Sequence, residues 1–175
     1  MLKILCVIAF AMLPLSASAA ENQQLFNLIN QRLSYMKAVA AYKATAHSPV
    51  EDIAQEKKVV EKSTEQARKI GLDPKSVGPF LKAQIDAAKA IQYRYRADWL
   101  SVPEKKQQTV PLDILRSRIA KTGDAILTEL HTVLSQGGMK PGDLALFDNA
   151  VTEPNLSATD KQKLFDALLE VKLKP

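Results

Sequence analysis

Arg32 and Lys43 stand eleven residues apart in a stretch free of glycine and proline. Eleven helical steps of about 100° return to within roughly 20° of the start, so both cations would project from one side of one helix. Leu25, Leu28, Ile29, Leu33, Met36, Val39 and Ala40 fall on or beside that side. It is otherwise a core face, where basic groups are rare unless paired, because burial strips their hydration. Past Pro49, Asp52, Gln55 and Glu56 recur at i, i+3 and i+4 and so share a side of a second helix. A basic face opposite carboxylates and an amide can cradle a small polyanion that also carries a hydroxyl. Each residue alone has a plainer explanation. Arg32 or Lys43 can run its stem along the rim of a core face and keep its charge in water. Asp52 can favour a helix dipole, and Glu56 can face solvent or pair with a nearby lysine. Together, the spacing makes a ligand site competitive.

Other chemistries find little support. His47 and His131 are the only histidines, and their separation is not a metal-ligand spacing. Neither belongs to a Ser/His/Asp arrangement. The glycines are isolated or follow helices, so no loop cradles a phosphate. The only cysteine, Cys6, lies in an N-terminal leader, which leaves the mature chain without a disulfide, a thiolate metal site or a haem attachment motif. Neither metal nor cofactor is expected. The segment YRYRADW, Tyr93 to Trp99, has the composition of a stacking platform, but at the end of an amphipathic helix it reads as packing plus solvated arginines. Lys105 and Lys106 are loop charges beside Glu104.

The leader has a charged start at Lys3, an apolar run over 4–13 and the small-residue cleavage motif Ala17-Ser18-Ala19. That pattern is a secretory signal peptide, because the run falls well short of the ~20 residues that span a bilayer. Cleavage after Ala19 leaves residues 20–175 as a single domain, periplasmic or secreted, with no membrane attachment. The formal charge of +5 becomes +4 once Lys3 is lost. This mild, dispersed excess suits small anions and falls short of a nucleic-acid footprint.

The elements that must position these residues are all helical. Apolar spacing of three and four predicts a helix over 22–45, broken at His47-Ser48-Pro49 because a residue before proline leaves the helical region. A second helix is expected over 50–70, with Glu51 and Asp52 in its first turn and Gly71 as its stop. Asp73-Pro74 caps a third over 74–100, interrupted in pattern by Gly78-Pro79. A polar loop over 101–110 precedes a fourth helix over 111–134. A short helix follows over 144–151, and Ser157 to Asp160 open a last one through a capping box. No stretch alternates as a strand does. The expected fold is all-α, a bundle of three long core helices with additional C-terminal helices and no sheet.

INQRLSYMKAVAAYKA, SPVEDIAQEKKVV and GLDPKSVGPFLKAQIDAAKAIQ together resemble the all-α chorismate mutases. The leader, the YRYRADW continuation and the C-terminal helices resemble the exported class of that family. The likeness covers about residues 25–118, and its specificity lies in the joint spacing R(x10)K(x8)D(x3)E with Gln92 much later. It implies conversion of chorismate to prephenate, a step toward the aromatic amino acids. The reaction is an intramolecular Claisen rearrangement needing no cofactor, covalent intermediate or proton transfer. It further implies that Arg32 and Arg116 anchor the two carboxylates, with Arg118 the alternative in another register. Lys43 would contact a carboxylate and the ether oxygen, and Gln92 would be the ether's second donor. Asp52 and Glu56 would orient the hydroxyl, and Ala88 would line the site. Gln55 stands where relatives carry arginine, and Ala88 where a hydroxyl residue is common. Arg116 would come from the same chain, so a possible homodimer would hold a complete site in each subunit. The competing expectation is a periplasmic helical binding or chaperone-like protein without catalysis, or a degenerate mutase that only binds.

Overall fold

The first long apolar repeat winds into two helices, α1 (Leu15–Ser34) and α2 (Met36–Thr45), where the periodicity predicts one. The structure is a computed structural model that describes the backbone of residues 15–103 and 110–175 and the side chains of 20–103 and 110–175. The leader's apolar run and the Glu104, Lys105 and Lys106 charges lie outside the described residues. The interruption falls at Tyr35, next to Ser34, whose hydroxyl donates to the Gln31 carbonyl at 2.8 Å and competes with the helical ladder. Tyr35 keeps right-handed dihedrals, and Val39 N–H bonds back to its carbonyl, so winding resumes at once. Leu25, Ile29, Leu33, Met36, Val39 and Ala40 are buried as the spacing predicts, with Leu28 partly buried beside them.

Pro49 alone does not end α2. His47 takes φ +51°, and Ser48 N–H reaches the Lys43 carbonyl at 2.8 Å, closing a Schellman turn with the proline just beyond it. The next helix, α3 (Ile53–Lys69), starts later than the expected residue 50. Asp52 is its cap rather than a first-turn residue: its side chain accepts from Gln55 N–H, satisfying one of the orphan donors of the first turn. Glu51 therefore also lies outside the helix. Gly71 closes α3 at φ +92°, a conformation that disfavours any residue with a Cβ.

Asp73 and Pro74 open α4 (Pro74–Ser101), which runs unbroken through Gly78-Pro79. The hydrogen bond that Pro79 cannot make would go to Lys75, and both residues face solvent, where water can satisfy that carbonyl. Then come α5 (Leu112–Ser135), a 3₁₀ turn at Pro141–Asp143, α6 (Leu144–Ala150) and α7 (Ala158–Leu169). The expected capping box at α7 is present in both directions between Ser157 and Asp160.

α1 packs along α5, α2 along α4, and α3 crosses against both α4 and α5. α6 and α7 close the far side through Phe147 and Phe165, whose rings meet Phe26 of α1 at 5.1 and 6.2 Å between centroids. Each such pair adds about 0.5–1.5 kcal/mol beyond its buried area. These C-terminal helices are thus part of the core. No strand occurs among the described residues; the nearest thing is one isolated bridge between Leu72 and Leu173. It holds the tail against the α3–α4 turn with Lys174 N–H on the Gly71 carbonyl.

Candidate active site

The helix arrangement leaves one side of α1 and α2 facing α3, α4 and α5 across a cavity of about 300 Å³. Arg32, Lys43, Asp52, Gln55, Glu56, Ala88, Gln92 and Arg116 all line it. The eight residues singled out from the sequence thus converge, although they come from five helices and one cap. Arg118, the alternative to Arg116, is exposed and does not line the cavity, because two residues carry it about 200° round α5.

Arg32 and Lys43 are each 8% exposed. The Nη1 of Arg32 is buried with no hydrogen-bond partner among the described residues. Burial alone pulls its pKa down to about 10, which still leaves it charged at neutral pH. Lys43 Nζ donates to the Val50 carbonyl, so the chain leaving the α2 turn holds the ammonium in place. Burial is the largest influence on that amine and draws its pKa below the ordinary range. Asp52 and Glu56 pull it upward, and Arg116 and Arg96 push it down.

Asp52 does two things. One oxygen caps α3, and the other accepts from Arg116 Nη2 at 2.6 Å. Both partners of that ion pair are 40% exposed, so solvent screens it and an arriving carboxylate can compete for the guanidinium. Glu56 accepts from Asp52 N–H at 3.3 Å and pairs with Lys89 at 3.2 Å. Gln92, 5% exposed, donates from Nε2 to the Ala88 carbonyl at 3.1 Å and to Met36 Sδ at 3.7 Å. The carbonyl accepts only, so it fixes the amide with its NH₂ on that side. The second N–H meets a thioether, a weak acceptor easily exchanged for a better one.

Several lining residues escaped the sequence reading. Gln84 and Lys89 of α4 and Lys58 and Lys62 of α3 also reach the cavity, with Asp124 of α5. Gln84 precedes Ala88 and Gln92 by one and two turns, a four-residue stripe visible in the sequence once Gln92 is placed. The lysines carried no such signal, since exposed lysines on amphipathic helices are common. Among the described residues six cations and three carboxylates line the cavity, an excess that draws a small dianion inward. Among the described residues no group of three or more His, Cys, Asp or Glu is placed to hold a metal ion.

The YRYRADW segment packs, as expected, with Tyr95 stacked on Trp99. Its arginines are partly exposed, and both also have partners. Arg94 pairs with Asp160 at 2.6 Å and Arg96 donates to the Ser48 carbonyl at 3.1 Å, because α7 and the loop after α2 fold back over this end of α4.

Fold and cavity together define an all-helical protein with a cavity rich in cations and neutral donors. The family model described as chorismate mutase type II matches residues 17–93. The secreted chorismate mutase of Yersinia pestis is 46% identical over 165 residues, spanning 93% of this chain and 88% of that protein. The monofunctional chorismate mutase of Enterobacter agglomerans is 38% identical over 156 residues, spanning 89% and 86%. The crystal structure of the Yersinia pestis secreted chorismate mutase superposes with a TM-score of 0.81 at 47% identity, covering 86% of this chain and 98% of that one. The chain belongs to the chorismate mutase family, whose members are isomerases.

Proposed function

We propose that the cavity converts chorismate to prephenate, with Arg32, Lys43, Asp52, Gln55, Glu56, Ala88, Gln92 and Arg116 as the residues that hold the substrate. The rearrangement breaks the ether C–O bond while a C–C bond forms within the same molecule. No proton moves and no cofactor takes part. Catalysis is then restraint of a flexible dianion in its reactive diaxial form, together with stabilisation of negative charge on the ether oxygen. Arg32 and Arg116 take the two carboxylates as planar donors. Lys43 bridges a carboxylate and the ether oxygen. Gln92 turns its second N–H from Met36 Sδ to that oxygen. Asp52 and Glu56 orient the hydroxyl, while Gln55 and Ala88 line the space. The observation that most supports this reading is the convergence of buried Arg32, Lys43 and Gln92 on one cavity lined by a single chain. It also fits a complete site in each subunit, whether the chain acts alone or as a homodimer.

We further propose that residues 1–19 are a signal peptide, that 20–175 form one domain and that the mature enzyme works in the periplasm or outside the cell. A relative named as secreted supports export. No helix among the described residues is long and apolar enough to cross a membrane.

Purified 20–175 protein should consume chorismate, followed by its absorbance, equally with and without EDTA. No turnover at millimolar chorismate rejects the reading in favour of a binding protein. Activity lost to EDTA and restored by a divalent ion contradicts the mechanism. In the same assay Arg116→Ala should raise KM and cut kcat/KM by roughly 2 kcal/mol, the low end for a lost charge-assisted contact because Arg116 is only partly desolvated. Arg118→Ala should behave as wild type; the reverse pattern would move the carboxylate anchor to Arg118.

A further inference from the structure

α4 offers the cavity Gln84, Ala88 and Gln92 in successive turns. Gln84 is 4% exposed, and its Oε1 is buried with no hydrogen-bond partner among the described residues. An amide in that condition destabilises the fold. Packing does not account for it, since methionine has a similar volume and no amide to leave unpaired. Two other groups on the cavity wall are likewise buried and without a hydrogen-bond partner among the described residues, Arg32 Nη1 and Gln92 Oε1. The early turns of α1 lie beside the end of α5, with Gln24 bonded to Glu129 at 2.9 Å, and Gly71, just before α4, lies against His131 in that same end of α5. Further along, Gln92 of α4 meets Met36 at the start of α2, so α1 and α4 point the same way. Helical side chains lean toward their own N-termini. Arg32 and Gln84 therefore lean to the same end of the cavity, away from Lys43, Asp52 and Arg116.

We propose that Gln84 is a substrate-binding residue whose terminal amide donates a hydrogen bond to the carboxylate that Arg32 takes. The last torsion of glutamine has a broad, roughly two-fold preference, so the NH₂ can turn into the cavity when an anion arrives. The contact gives this site a donor in a chain where Gln55 contributes no charge and Ala88 no hydroxyl. It holds a carboxylate that does not react, so it binds ground state and transition state alike.

The proposal rests on the chorismate mutase reading, and the test separates the two. Wild-type protein and Gln84→Met are compared by chorismate kinetics, by calorimetric titration with prephenate and by thermal melting. Gln84→Met should raise KM and the prephenate Kd about tenfold to a hundredfold, the range for a hydrogen bond to a charged group. Its kcat should stay near wild type, and it should melt no lower, having shed an unpartnered amide. Gln84→Leu should repeat the pattern and guards against a packing fault peculiar to methionine. Active wild type with both variants at wild-type KM and Kd overturns the role of Gln84 alone. Equal losses of melting temperature and kcat without a change in Kd also overturn it, since they describe a structural residue. Wild-type protein that neither turns over chorismate nor binds prephenate overturns the functional reading itself.

Discussion

Arg32→Met should leave the protein more stable and almost inactive. The guanidinium is nearly sealed from water and meets no carboxylate among the described residues, so the fold bears its desolvation uncompensated. Its folded-state pKa of about 10 lies below the ordinary guanidinium range. The unfolded chain therefore holds more protons between the folded and unfolded pKa values, and stability rises with pH only across that window. Below it the cost is fully present, so the gain on substitution should be the same at pH 7 and pH 9. We expect on the order of 1–3 kcal/mol in chemical denaturation. Turnover should fall because a desolvated partner of a substrate carboxylate is worth roughly 2–5 kcal/mol, or about 30-fold to several thousand-fold in kcat/KM. Loss of stability in Arg32→Met would show that the guanidinium braces the fold and that the catalytic loss is secondary.

Gln92→Glu should confine activity to acid. Negative charge develops on the ether oxygen, which needs hydrogen donors throughout the working pH range. In the proposed site Lys43 would be one, and an amide donates at every ordinary pH. Wild type should accordingly keep a broad profile through neutrality into mild alkali. A glutamate in the same place donates only while protonated. Its pKa should lie above the reference of about 4.3, because burial and nearby Glu56 raise it more than Lys43 lowers it. Activity should survive below that pKa and fall as pH rises through it. Gln92→Ala should be slow at every pH, by about 3–4 kcal/mol, the usual loss for a preorganised donor to a developing anion. Wild-type rates for Gln92→Glu near pH ~8 would remove Gln92 from the ether oxygen and α4 from the reacting centre.

The fold was largely legible because its helices are amphipathic and their ends are chemically marked. Asp73-Pro74, Gly71 and the Ser157–Asp160 box each act where the sequence places them. What was misread depended on competition at single residues. The Ser34 hydroxyl interrupts the first helix, and the Asp52 carboxylate draws the start of α3 to Ile53. Arg32, Lys43, Asp52, Gln55 and Glu56 stand out by spacing, which survives a one-residue interruption because Tyr35 keeps helical dihedrals, whereas Ala88, Gln92 and Arg116 were supplied only by the family resemblance. Their pairings in the free protein were not legible. Arg116 against Asp52 and Lys89 against Glu56 join residues 64 and 33 positions apart, distances at which periodicity says nothing. Gln84 was missed for another reason: it carries no charge, and only its place in the four-residue stripe with Ala88 and Gln92 distinguishes it from a solvated glutamine.

The most direct test is a crystal structure of the protein with a bicyclic ether dicarboxylate that mimics the rearrangement's transition state. The compound should lie in this cavity, its carboxylates on Arg32 and Arg116, and its ether oxygen within about 3.2 Å of both Lys43 Nζ and Gln92 Nε2. A compound bound elsewhere, or bound here with its ether oxygen turned from Lys43 and Gln92, would contradict the proposed site.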